Sequence, residues 1–163
     1  MSLVALGTAV GCIRSSDKEF GGRGDFLSIG AYAPVRLDQV VYAVRGQNFV
    51  LTPQEEGTVI AAVRARAVNL ESTQITLSLD ENAATLQDTE SRAFKPFEPG
   101  SRAEKTSETP PKDNPYGAHL WGQIQLLKGL ELPGWFFFEV PVDSVFATFV
   151  WEDVEYVAVR YPE

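Results

Sequence analysis

The stretch "QITLSLD" (74–80) alternates without a fault, Ile75, Leu77 and Leu79 against Gln74, Thr76, Ser78 and Asp80. A period of two marks a strand with one face in a core. "GTVIAAVRARAVN" (57–69) repeats the pattern at greater length. Val59, Ala61, Val63, Ala65 and Ala67 share one face, and Ile60, Ala62, Arg64, Arg66 and Val68 the other. The two arginines predict that this second face meets solvent. "GWFFFEVP" (134–141) differs because both of its faces are aromatic: Phe136, Phe138 and Val140 on one, Trp135 and Phe137 with Glu139 on the other. Such a strand is either central or has a covered outer face. Pro141 lacks an N–H, so pairing should stop there. Further strands are expected at 37–45, 84–88, 91–94, 120–128, 146–151 and 154–161. Turn residues separate them at 88–91, at Pro133-Gly134, at 141–144 and at Glu152-Asp153. Helical periodicity competes only over 54–66, where Gly57 and the β-branched pair after it favour strand. Eight or nine short strands predict an all-β fold, an antiparallel sandwich or barrel.

The same pattern divides the chain into 1–26 and 27–163. Residues 13–26 mix charges with three glycines and read as a flexible arm. Residues 95–118 carry five prolines and two glycines and read as a surface loop, the longest candidate contact surface. With 163 residues, 44% apolar and 22% charged, the chain suits one domain that folds without a disulfide or a metal. Its net charge of −8 argues against a nucleic-acid partner and against docking on anionic lipid through a basic patch. No apolar run reaches the roughly 20 residues of a spanning helix.

Candidate chemistry is sparse. His119 is the only histidine and Cys12 the only cysteine, whereas metal sites of the usual kind need several such ligands. No Gly-x-Ser-x-Gly elbow is present, and the apolar setting of Cys12 is poor for a thiolate positioned against His119. A non-catalytic role without a cofactor is expected. Two acidic groups, Asp80-Glu81-Asn82 with Asp88 and Glu90, and Glu152-Asp153 with Glu155, offer oxygens suited to calcium. Turns favour Asp and Asn in any case. Trp121, Trp135 and Trp151 are candidates for an aromatic ligand platform, against the reading that they fill a core. Arg23-Gly24-Asp25 is the tripeptide that integrins read, and it is short enough to recur by chance.

Three stretches carry a family likeness. Val63 to Asn69 matches a "V-x-V-x-x-x-N" strand end. Leu86, Asp88 and Phe94 match part of "L-x-D-x-x-G-x-x-Y", with Ser91 and Arg92 where glycine is expected. Pro133, Gly134, Phe138, Val140 and Pro141 match a turn into "G-x-x-x-F-x-V-P". In this order they resemble the immunoglobulin-like domain of prokaryotic cell-envelope lipoproteins related to the mycobacterial immunoprotective extracellular antigen. The resemblance implies an immunoglobulin-like antiparallel β-sandwich, an extracytoplasmic location and a non-catalytic role. It transfers no functional residues.

The start of the chain adds a location. Leu3 to Val10 is uncharged, and Ala9-Val10-Gly11-Cys12 resembles the lipobox of prokaryotic lipoproteins, with alanine where leucine is usual. In such proteins the cysteine becomes the first residue and carries acyl chains. Cys12 is therefore the expected lipidation site, and the alternative is a small buried residue on an N-terminal strand. The expected function is extracytoplasmic binding or a structural envelope role. The partner would be an envelope protein or polymer, with membrane contact only through Cys12. The alternative is a homo-oligomer or filament subunit that uses an ordered N-terminal strand.

Overall fold

The computed structural model describes residues 18–163. In chain order the strands are β1 (Glu19–Arg23), β2 (Leu27–Tyr32), β3 (Val35–Leu37), β4 (Val40–Val44), β5 (Gln47–Leu51), β6 (Thr58–Asn69), β7 (Gln74–Leu79), β8 (Ala84–Asp88) and β9 (Ala93–Phe94). After the short helix α1 (Pro99–Arg102) come β10 (Glu104–Lys105), a single helical turn at Pro115–Gly117, β11 (Gly122–Leu127), β12 (Glu131–Pro141), β13 (Phe146–Trp151) and β14 (Val157–Arg160). All pairing between strands is antiparallel, and the sheets do not close into a barrel. The fold is all-β and sandwich-like, as the alternation predicts.

β6 is the spine. Its twelve residues pair along their length with β12 on one side, and with β2 and then β3 on the other. The pairing puts small residues beside large ones: Ala61 opposite Phe138, Ala62 opposite Phe137, Val63 opposite Phe136. Neighbouring strands thus set small side chains beside large ones on each face. Phe136, Phe137 and Phe138 are all buried.

The two faces of this central sheet bury different cores. Phe136, Phe138, Val140, Ala61 and Val63 meet Leu77, Leu79, Leu86, Phe149, Trp151 and Val159 from β7, β8, β13 and β14. On the opposite face Phe137, Ile60 and Ala62 meet Val40, Tyr42, Leu51 and Phe97 beneath the small β4–β5–β10 sheet. The covered outer face expected for the aromatic strand is present, and the molecule has three layers. The arginine face of β6 is split. Ile60 and Ala62 lie under the small sheet, whereas Arg64 is exposed beside the Tyr32 ring and Arg66 pairs with Glu19 and Glu131.

Four sequence expectations change. Glu19–Arg23 is not part of an arm: it is β1, paired with β2 over its whole length. Gly22 permits close packing, since a Cβ there would lie 2.6 Å from the Ala158 carbonyl oxygen. The expected strand over 37–45 breaks at Asp38-Gln39, where the chain passes from the central sheet to the small one. Arg45 and Gly46 then take positive φ, 49° and 78°, in a two-residue hairpin that leads into β5. Pro133-Gly134 is no turn but lies inside β12, on its register with Arg66 and Ala65. Proline is tolerated there because β12 is the last strand of its sheet. Finally, 95–118 is more than a surface loop. Its Phe97 is buried in the second core, and the Phe97 N–H donates to the Phe137 carbonyl at 3.0 Å.

Phe137→Ala tests the second core. A two-core molecule should lose about 3–5 kcal/mol in urea denaturation, whereas a solvent-facing side chain would cost under about 0.5 kcal/mol.

Candidate functional site

The acidic groups singled out in the sequence each serve a separate structural contact. Asp80 accepts the Asn82 N–H at 2.7 Å. Buried Asp88 accepts the backbone N–H groups of Glu90 and Arg92 and pairs with the Arg92 guanidinium at 2.6 Å. Burial pushes its carboxyl up, but these donors prevail and hold it below the usual carboxylate range. Glu152 accepts from Thr85 Oγ1 and Lys95 Nζ, and Asp153 accepts the Ser78 N–H at 2.9 Å. Among the described residues no group of three or more His, Cys, Asp or Glu is arranged to hold a metal ion.

Glu155 links the acidic group to the Arg-Gly-Asp stretch. Arg23-Gly24-Asp25 forms the tip of the β1–β2 hairpin, closed by a 2.8 Å bond from the Gly24 N–H to the Leu27 carbonyl. The Glu155 carboxylate accepts the N–H groups of Asp25, Phe26 and Leu27. It is aimed there by a tight turn, in which the Glu155 N–H reaches the Asp153 carbonyl at 2.8 Å across Val154 at φ 67°. A β-branched residue at positive φ is strained, and the three N–H bonds offset that strain.

The tryptophans do not share a surface. Trp151 is buried in the larger core and donates to the Asp153 carbonyl, Trp135 packs edge-on to Tyr116 against the smaller core, and Trp121 is half-buried. His119 is wedged between Tyr42 and Phe137, with ring centroids at 4.6 and 5.5 Å, and its buried Nε2 has no partner among the described residues. Burial lowers its pKa below 6.5, and the Tyr116 backbone opposes that only in part. Cys12 lies outside the described residues.

A different region has the geometry of a binding surface. Two clefts, of ≈ 490 and ≈ 320 Å³, share a wall of Val145, Phe146, Tyr161 and Pro162. β13 starts in this wall, and the chain leaves β14 through it, with the Tyr161 N–H bonded to the Ala147 carbonyl. Phe20 of β1 meets the Tyr161 ring edge-on at 5.7 Å, and the Tyr161 hydroxyl donates to the Tyr32 carbonyl at 3.0 Å. Burial raises the Tyr161 pKa, so the hydroxyl keeps its proton. Val145 is 58% exposed. The Arg36 guanidinium sits 4.8 Å from the Phe146 ring centre in one cleft, and Arg160 lines the other. Neither arginine has a carboxylate partner among the described residues. Apolar aromatic walls beside two guanidinium groups that no carboxylate pairs suit a flat apolar group that carries an anion or a carbonyl.

A third cleft, of ≈ 360 Å³, is lined by Glu55, Arg102 and Glu139, and Arg102 and Glu139 are paired with each other. Glu139 accepts from the Gln54 and Glu55 N–H groups, the Thr58 hydroxyl and Arg102. The sequence gives no local cue to the paired clefts, because their residues come from β1, the β2–β3 connection, β3, Thr89 after β8, the start of β13 with the turn before it, and the end of β14 with the residues that follow it. The only hint is a pair of arginines, Arg36 and Arg160, each next to β-rich sequence.

His119 supplies a pH test. The unfolded imidazole takes up a proton near pH 6.5 while the folded one resists it. Stability is therefore full above that pH and declines as pH falls toward the folded value. The urea midpoint should drop between pH 6.5 and the carboxylate range, and His119→Phe should flatten that part of the curve, as no other histidine titrates there. Comparison with family models, with curated proteins and with solved structures found no match to this chain.

Proposed function

We propose that this chain is a non-catalytic binding domain of a prokaryotic cell envelope, displayed outside the cytoplasmic membrane and held there by acyl chains on Cys12. The observation that carries the binding role is the wall of Val145, Phe146, Tyr161 and Pro162 with Arg36 and Arg160 on either side. Its chemistry is recognition: aromatic and aliphatic surface for an apolar group, guanidinium for an anion or carbonyl. The lipobox-like Ala9-Val10-Gly11-Cys12 supports the location. Cys12 precedes Phe20, a cleft residue, by eight positions. A chain of that length reaches at most roughly 28 Å. An acylated Cys12 would keep the clefts near the bilayer surface, where envelope proteins, polymers and amphiphiles are concentrated.

Two measurements test the two halves of this reading. In the native host, mass spectrometry of the mature protein should find an acylated Cys12 at the N-terminus, and Cys12→Ser should move the protein out of the membrane fraction. An unmodified Met1 start in cell extracts overturns the anchor. The clefts are probed with 8-anilinonaphthalene-1-sulfonate, an aromatic anion of the predicted chemistry. The native protein should bind it saturably, and Arg36→Ala should weaken binding severalfold with the urea midpoint retained. An unchanged titration overturns the clefts as the binding surface.

A further inference from the structure

Turn aspartates ordinarily spend their carboxylate on nearby backbone N–H groups. Asp80 and Asp88 do so here, on Asn82 and on Glu90 with Arg92. Asp25, at the tip of the β1–β2 hairpin, does not. The N–H groups of Phe26 and Leu27, together with its own, are taken by Glu155 from the β13–β14 turn. Asp25 is left exposed, and so is Arg23 before it. Neither stands in an ion pair among the described residues.

Gly24, between them, has a structural reason, since a Cβ there would overlap the Glu155 carboxylate. The charges of Arg23 and Asp25 have none among the described residues. The hairpin also holds the three residues in one shape. The Gly24 N–H closes the turn on the Leu27 carbonyl at 2.8 Å, and Glu155 clamps the backbone from Asp25 onward. A partner therefore meets a preformed loop and does not have to order one. Phe26, 46% exposed, follows Asp25, and Tyr156, 67% exposed, follows Glu155. Aromatic surface thus lies on the same end of the molecule as the charged pair, a composition that protein contacts favour.

We propose that the Arg23-Gly24-Asp25 tip docks on a receptor of the integrin type. The Asp25 carboxylate completes the shell of a divalent cation that the receptor holds, and the Arg23 guanidinium enters an acidic slot. Hard divalent cations take carboxylate oxygen, and a guanidinium pairs with carboxylates through its fork of N–H groups. Opposite charges on either side of one glycine select a partner that offers a cation and an anion side by side. A phosphate backbone or an anionic bilayer offers one sign only. The clefts meet β1 at Phe20, about 13 Å from Gly24 along an extended strand, so both surfaces can be occupied together. Display of the tip to a receptor on another cell draws on the proposed location outside the membrane, but the binding itself does not.

Surface plasmon resonance of the full chain over a panel of immobilised integrin ectodomains that bind Arg-Gly-Asp peptides tests the docking, with urea midpoints confirming that each variant is folded. In the presence of manganese the native protein should bind at least one ectodomain saturably. A cyclic Arg-Gly-Asp peptide should displace it, and EDTA should abolish the signal. Asp25→Glu keeps the charge and the N–H given to Glu155, yet it should weaken binding about tenfold or more, because the longer side chain misplaces the carboxylate against the cation. Arg23→Gln should weaken it severalfold. A native chain that binds no ectodomain, binding that survives EDTA or the peptide, or an affinity unchanged by either substitution overturns the proposal. Purified protein is used throughout, so an unacylated Cys12 or clefts without a ligand would not alter the result.

Discussion

The structure depends on the contact between β12 and β6. Three consecutive phenylalanines cannot all face one side of a strand, since side chains alternate. Burying Phe136 and Phe138 in one core leaves Phe137 on the other face, where exposure would forfeit several kilocalories per mole of hydrophobic stabilisation. The small sheet and the 95–118 segment cover it. The third layer is thus a consequence of a local sequence, and Ala61 and Ala62 on β6 make room for the rings.

The acidity of the chain has a structural logic. Carboxylates here accept backbone N–H groups that would otherwise be unpaired at turns and edges: Glu155 at the β1–β2 tip, Glu139 at the 54–58 turn, Asp88 at the β8–β9 turn and Asp153 at the β7 edge. Each replaces water with a charge-assisted bond, roughly twice as strong as a neutral one. Glu19 and Glu131 pair with Arg66, and Glu152 with Lys95.

Legibility from sequence followed the range of the interaction. β7, β8, β12 and β13 show in the pattern because alternation is a property of adjacent residues. β1 and β5 do not. Gly22 reads as freedom when its role is close approach to β14, and Gln47-Asn48 dilute the apolar signal of Phe49 and Leu51. The Arg-Gly turn after β4 was the available cue for β5. The acidic clusters were visible as composition, but which N–H each carboxylate accepts depends on partners as far as 130 positions away.

By itself the sequence determined an all-β chain with strands near 57–69, 74–79, 134–141 and 146–151, one of them aromatic on both faces. Periodicity and side-chain volume act locally, so they are written in consecutive residues. Only the tertiary structure decided that Glu19–Arg23 joins the central sheet, that 95–118 seals a second core, and that Phe20, Arg36, Phe146 and Tyr161 meet around two clefts. Those contacts join residues far apart in the chain. They exist only when strand register and layer packing have brought them within van der Waals reach.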